Sequence, residues 1–142
     1  MSDLAGTGRD GRYSRQCRFA EFGCNGQKAL SAMRVAVLGC GALGAASSEM
    51  LVRAGVASLR LIDRDFVEAS NLQRQSLYSE ADAEAAVPKV HAAKNRLSQV
   101  NSEVEIKLSV AEYYSEKGSY TVVVKVIDIF GNDTTKLLDI VV

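Results

Sequence analysis

A glycine-rich loop, Gly39-Cys40-Gly41-Ala42-Leu43-Gly44, follows the apolar run Val35-Ala36-Val37-Leu38 and opens a helix-like segment. Few local patterns narrow the choice of fold as much. Glycines at those three positions permit a tight turn, a close approach of backbone to phosphate and tight helix packing, the needs of a βαβ nucleotide site. Phosphates placed there meet amide groups at a helix N-terminus, where the dipole favours negative charge. The helix is expected from about Leu43 to Ala54. Ala45, Ala46, Ser47 and Ser48 near its start are small enough to let it lie close to a sheet, and Gly55 supplies a C-terminal cap.

The chain around the loop repeats strand and helix in alternation. Arg34–Leu38 reads as a first strand and Ser58–Ile62 as a second, ending at Asp63. An acidic side chain about twenty residues past such a loop is placed to hold ribose hydroxyls. Pro88 fits the first position of another helix, in which Val90, Ala93, Leu97 and Val100 follow the rhythm of a buried face. Asn101 and Ser102 end that helix, and Val104, Ile106, Leu108 and Val110 alternate as a third strand. This order implies a parallel sheet with helical crossovers. Upstream, residues 1–12 read as a loose leader. Tyr13 to Met33 reads as partly helical, with a break at Gly23–Gly26.

Beyond Ala111 the texture changes. Tyr120–Ile127 and Leu137–Val142 are β runs, with turn residues Asp128 to Asp133 between them. The pair reads as an antiparallel hairpin. Lys125 would be costly in a parallel strand covered on both faces but is acceptable on a solvated sheet.

Seventeen basic residues balance seventeen acidic ones, so bulk charge argues for neither nucleic acid nor membrane as a partner. No apolar stretch approaches the ~20 residues of a membrane helix, and the start of the chain lacks a signal-peptide pattern. The three cysteines, Cys17, Cys24 and Cys40, form no Cys-x-x-Cys pair and leave an odd count, which points to a reducing compartment, the cytoplasm. His91 is the single histidine, so chemistry needing paired histidines is excluded.

From about Arg12 to Lys107 the chain resembles the ThiF/MoeB/HesA family, bacterial relatives of ubiquitin-activating enzymes. The resemblance rests on Arg12-Tyr-Ser-Arg-Gln16, Gly23 with Gly26-Gln27, and the Val37–Gly44 loop. It continues through Ala54-Gly-Val56, Leu61-Ile-Asp-Arg-Asp65, Ser70-Asn-Leu-Gln-Arg-Gln75 and Pro88-Lys89. It implies binding of ATP and Mg²⁺ and adenylation of the C-terminal glycine of a ubiquitin-like sulfur-carrier protein. Arg74, Lys89 and Arg15 are then the catalytic candidates, with Arg15 reaching the nucleotide of the other subunit of a homodimer. Gly39, Gly41, Ala42, Gly44, Asp63, Ser70, Asn71, Leu72 and Gln73 are the ATP-binding candidates, and no metal ligand is assigned. Each has a plainer reading too: packing glycines, a strand-end cap at Asp63, surface charges at Arg74 and Lys89.

The family pattern is expected to stop near Lys107. Val126-Ile-Asp128 and Phe130–Asp133 read as a distorted version of its metal-holding aspartate turn, and the later half with its zinc-binding cysteines is missing. Residues 112–142 are similar to the last hairpin of polycystic-kidney-disease-type β-sandwich repeats. The fold expected is α/β: an incomplete Rossmann-like, mostly parallel sheet with helical crossovers, then a C-terminal antiparallel β-hairpin. Its divisions are residues 1–33 (arm and helices), 34–110 (nucleotide-binding domain) and 111–142 (a truncated or fused hairpin). A divergent but continuous enzyme is the alternative. Two other functions stay open, a NAD(P)-binding oxidoreductase domain and a non-catalytic interaction fragment.

Overall fold

The computed structural model of the chain describes residues 9–109, 119–127 and 133–141, with side chains over residues 11–109. Residues up to Ala111 and those from Glu112 onward form separate compact units.

The first unit opens with three short helices, α1 (Arg9–Arg12), α2 (Ser14–Arg18) and α3 (Gly23–Leu30). The expected leader is therefore already helical at Arg9. Gly23–Gly26 is not a break, either: α3 starts at Gly23 and runs through Gly26, and the chain turns before it, at residues 19–22. Gly26 is required inside the helix because an added Cβ would press on the Phe22 ring.

Next come β1 (Arg34–Leu38), α4 (Ala42–Ala54) and β2 (Ser58–Ile62). A one-turn 3₁₀ helix (Ala69–Asn71), α5 (Glu80–Glu84), α6 (Lys89–Val100) and β3 (Glu105–Ser109) complete the unit. The three strands form a parallel sheet in the order β1-β2-β3, in register from Arg34 opposite Ser58 and Ser58 opposite Glu105. Gly55 closes α4 in the left-handed conformation. Pro88 is the cap before α6 rather than its first residue, since its extended ψ of 133° lies outside the helical range. α5 was not expected, although Ser79-Glu-Ala-Asp82 has capping-box spacing and Ser79 and Asp82 start the helix by capping each other's backbone.

One face of the sheet carries the core. Val35, Val37, Leu59, Leu61 and Ile106 pack with Val52, Val90 and Leu97, and each fully buried Leu or Val contributes about 1.5–3 kcal/mol. On α4 the buried positions are Ala45, Ser48 and Val52, whereas Ala46 and Ser47 face outward. The alternate positions of the strands, including Ala36, Leu38, Arg60 and Lys107, are exposed among the described residues. Parallel sheets are usually covered on both faces. On this face β2 and β3 place the polar Arg60 and Lys107, and β1 places the apolar Ala36 and Leu38.

The second unit is a hairpin of β4 (Ser119–Ile127) and β5 (Asp133–Val141), antiparallel from Ser119 opposite Val141 to Ile127 opposite Asp133. Its second strand begins four residues earlier than expected, because Asp133, Thr134 and Thr135 find ladder partners in Ile127, Val126 and Lys125. Asp128 and Phe130, read as a remnant of a metal-holding turn, lie outside the described residues. No described helix is long and apolar enough to cross a membrane.

Candidate functional site

The glycine loop follows β1 directly. Gly39 sits at φ 84°, in the left-handed region, and its N–H donates to the Ile62 carbonyl at 2.8 Å, tying the loop to β2. Gly44 is required by close approach: an added Cβ would collide with the Gly39 carbonyl. Gly41 answers to neither constraint. It caps α4 with φ −71°, and nothing lies within 4 Å of where its Cβ would stand. The fold leaves that space open, as a phosphate cradle requires. Ala42 is half-buried as the first residue of α4.

Asp63, at the end of β2, holds the loop from below. Its Oδ2 accepts the Cys40 N–H at 2.5 Å and its Oδ1 the Asp65 N–H at 2.7 Å. A carboxylate has about four acceptor sites, so both oxygens keep capacity for hydroxyl donors. The loop is held from a second side by Tyr78, whose hydroxyl donates to the Cys40 carbonyl at 2.6 Å. Burial and then the Asp63 carboxylate push the Cys40 thiol up to about 11, partly offset by the Lys89 charge. Burial also raises the Tyr78 hydroxyl, with Cys40, Asp63 and Asp82 adding to it. Asp65 and Tyr78 were not candidates from sequence. Nothing in the run Leu77-Tyr78-Ser79 distinguishes this tyrosine from a packing residue.

Beside the loop lies a polar cleft of about 470 Å³, lined by Arg64, Asp65, Phe66, Glu68, Asn71, Arg74, Gln75 and Lys89. Lys89 is nearly buried. Its ammonium meets Asp65 Oδ2 at 3.1 Å, and its backbone N–H donates to the Asp65 carbonyl at 2.9 Å. A continuous set of bonds thus runs from Cys40 through Asp63 and Asp65 to Lys89. Asn71 is buried, with Oδ1 accepting the Glu68 N–H. Arg74 is exposed and folds its Nη1 onto the Ser70 carbonyl and Gln73 Oε1, at 2.8 and 3.1 Å. Gln75 is buried, and its Oε1 has no partner among the described residues.

The cleft thus gathers Asn71, Arg74 and Lys89, and the bonds through Asp63 join it to the glycine loop. Ser70, Leu72 and Gln73 do not line it: Ser70 bonds Glu68, Gln73 bonds Arg74, and Leu72 is half-buried. Arg15 is elsewhere, exposed at the rim of a separate, largely apolar groove with Gln16, Phe19, Phe22 and Leu30. His91 is exposed. Among the described residues no group of three or more His, Cys, Asp or Glu is placed to hold a metal ion.

Comparison with known proteins gives a consistent picture. The profile of the ThiF family matches residues 13–137, so the likeness continues past Lys107, where it was expected to stop, and takes in β4. The chain is 53% identical over 106 residues to the sulfur carrier protein ThiS adenylyltransferase of Bacillus subtilis, covering 75% of this chain and 32% of that one. It is 45% identical over 95 residues to the molybdopterin-synthase adenylyltransferase of Escherichia coli, covering 67% and 37%. The chain therefore spans about a third of the length of these curated relatives. Among solved structures, E. coli MccB with ATP superposes at TM-score 0.65 and 34% identity, over 71% of this chain and 31% of that one. PaaA superposes at 0.68 and 30% identity, over 82% and 40%.

Proposed function

The chain belongs to the ThiF family, and from that premise we propose that it binds ATP and adenylates the C-terminal carboxylate of a ubiquitin-like sulfur-carrier protein. A carboxylate oxygen attacks the α-phosphorus, the bond to the bridging β-phosphate oxygen breaks, and pyrophosphate leaves with the electron pair. Both reactants are anions, so catalysis is chiefly positioning and charge stabilisation. The Gly41 and Ala42 amides at the start of α4 cradle phosphate, and Asp63 takes the ribose hydroxyls. Asn71, Arg74 and Lys89 contact phosphate oxygens, the arginine through its planar fork and the lysine as a point charge. Lys89 exchanges Asp65 for phosphate as the nucleotide enters.

Mg²⁺ is bound through one or two carboxylates together with substrate phosphates. The half-exposed Asp65 fits that need, and the ion would supply neutralisation of the departing pyrophosphate. Arg15, remote from the cleft, acts on the nucleotide of a second copy, so the working unit is a homodimer in the cytoplasm. The observation that carries this reading is the hydrogen-bonded run from Cys40 through Asp63 and Asp65 to Lys89, which links the glycine loop to a cationic cleft.

Nucleotide binding without turnover is the second reading, because Arg15 lines a groove separate from the cleft that gathers Asn71, Arg74 and Lys89. Calorimetric titration with ATP·Mg²⁺, AMP and NAD⁺, on the wild type and Arg74→Ala, separates the possibilities. ATP binding that weakens in the variant supports the proposal, and tight NAD⁺ binding with no ATP response defeats it. Pyrophosphate exchange in the presence of a ubiquitin-like carrier distinguishes turnover from binding alone.

A further inference from the structure

The Tyr78 hydroxyl is absent from every assignment above, yet it makes the shortest side-chain contact to the backbone of the glycine loop after Asp63. Cys40 is pinned at both ends, its N–H by the Asp63 carboxylate and its carbonyl by Tyr78. We infer that Tyr78 is a positioning residue for phosphate, acting through the Cys40–Gly41 peptide.

The physical step is short. That peptide is trans, so its carbonyl and the Gly41 N–H lie in one rigid plane and point in opposite directions. By holding the carbonyl, Tyr78 turns the Gly41 N–H the other way. There it has no partner among the described residues and joins the unpaired first-turn amides of α4. Without the hydroxyl, the Cys40 carbonyl loses its donor and the plane is free to rotate. A rotated plane would offer an oxygen, not an N–H, to an incoming phosphate. Gly41, the one loop glycine that neither backbone geometry nor packing demands, makes such a rotation easy. Burial keeps the tyrosine protonated, and so a donor, across the working pH range.

This inference rests on the nucleotide reading and adds a residue to it. Its test is titration of the wild type and Tyr78→Phe with ATP, ADP and adenosine, alongside nitrogen–proton NMR of the Gly41 amide. ATP and ADP are expected to bind about fivefold more weakly to the variant, with adenosine affinity unchanged and the ATP-induced shift of the Gly41 amide seen only in the wild type. Equal weakening for adenosine, or a variant that fails to fold, makes the hydroxyl a general structural bond and overturns the inference. So does a wild-type Gly41 amide that ignores ATP. Wild-type binding with an unchanged variant overturns this inference alone, whereas a wild type that binds none of the three removes the nucleotide reading and the inference together.

Discussion

Asn101 donates a 2.9 Å hydrogen bond to the Tyr13 hydroxyl, joining residues 88 positions apart in the chain. The same amide nitrogen reaches the Val52 carbonyl at 3.0 Å, and its oxygen takes the Glu103 N–H at 3.2 Å. Asn101 is 1% exposed, and Arg12 adds a bond to the Val100 carbonyl next to it. The tyrosine ring lies where a side chain at Gly55 would otherwise stand. One buried amide therefore fastens the N-terminal helices, and with them Arg15, to the end of α4 and the end of α6.

Replacing Asn101 by Ala leaves the Val52 carbonyl and the Glu103 N–H without that partner. A buried polar network broken in this way costs about 2–3 kcal/mol. Urea unfolding of Asn101→Ala at neutral pH measures it. A loss below about 1 kcal/mol would mean that water replaces the amide and that the fastening lies elsewhere.

The two glycines at the ends of the cradle should respond in opposite ways. Gly44→Ala drives a Cβ into the Gly39 carbonyl, a backbone group with little room to give, and should unfold the loop or the whole unit. Gly41→Ala meets nothing within 4 Å and keeps an ordinary φ of −71°, so the melting temperature should hold or rise slightly. Its ATP affinity should nevertheless fall, because the methyl group occupies the phosphate's space. If Gly41→Ala binds ATP as the wild type does, the cradle is not where the phosphates sit.

The parallel sheet was legible because each βα step carries its own punctuation: the glycine loop after β1, Gly55 after α4, Pro88 before α6. Other features have no local signature. Gly26 reads as a breaker until the Phe22 ring is seen packed over it. Asp65 and Tyr78 matter through partners 24 and 38 positions away, and no window of sequence brings those together. Gathering Asn71, Arg74 and Lys89 into one cleft likewise depends on the 3₁₀ turn and on how α6 starts at Lys89, just after Pro88.

Alkaline pH should weaken the fold through the loop. The Cys40 thiol is raised from an ordinary value of 9.0 to about 11. Between those values the unfolded chain has released the proton and the folded chain still holds it, so stability falls as pH rises. The contribution is fully present below pH ~9 and is lost by pH ~11, on the order of 3 kcal/mol in all. Tyr78, raised as well, adds a loss in the same direction at higher pH. Unfolding measured from pH 7 to 10.5 should show a decline that Cys40→Ala makes shallower. Parallel curves for the two proteins would rule the thiol out as the cause.

Arg74 and Lys89 are proposed to do similar work from different surroundings, and salt should tell them apart. The Lys89 side chain is 7% exposed beside an Asp65 that is 57% exposed. Arg74 is exposed and rests on its own turn. Lys89→Met keeps the buried stem and frees an aspartate that water can reach, so stability should change by no more than about 1 kcal/mol. Arg74→Ala should leave stability unchanged. Each removes a charged hydrogen bond to phosphate, worth roughly ten- to a hundredfold in ATP affinity. Raising ionic strength to about 0.5 M shortens the screening length below 8 Å for exposed charges and far less for buried ones. The ratio of wild-type to Arg74→Ala affinity should therefore shrink with salt, while the ratio to Lys89→Met holds. Two ratios that fall together would place both cations at the solvent edge of the site, contrary to the burial of Lys89.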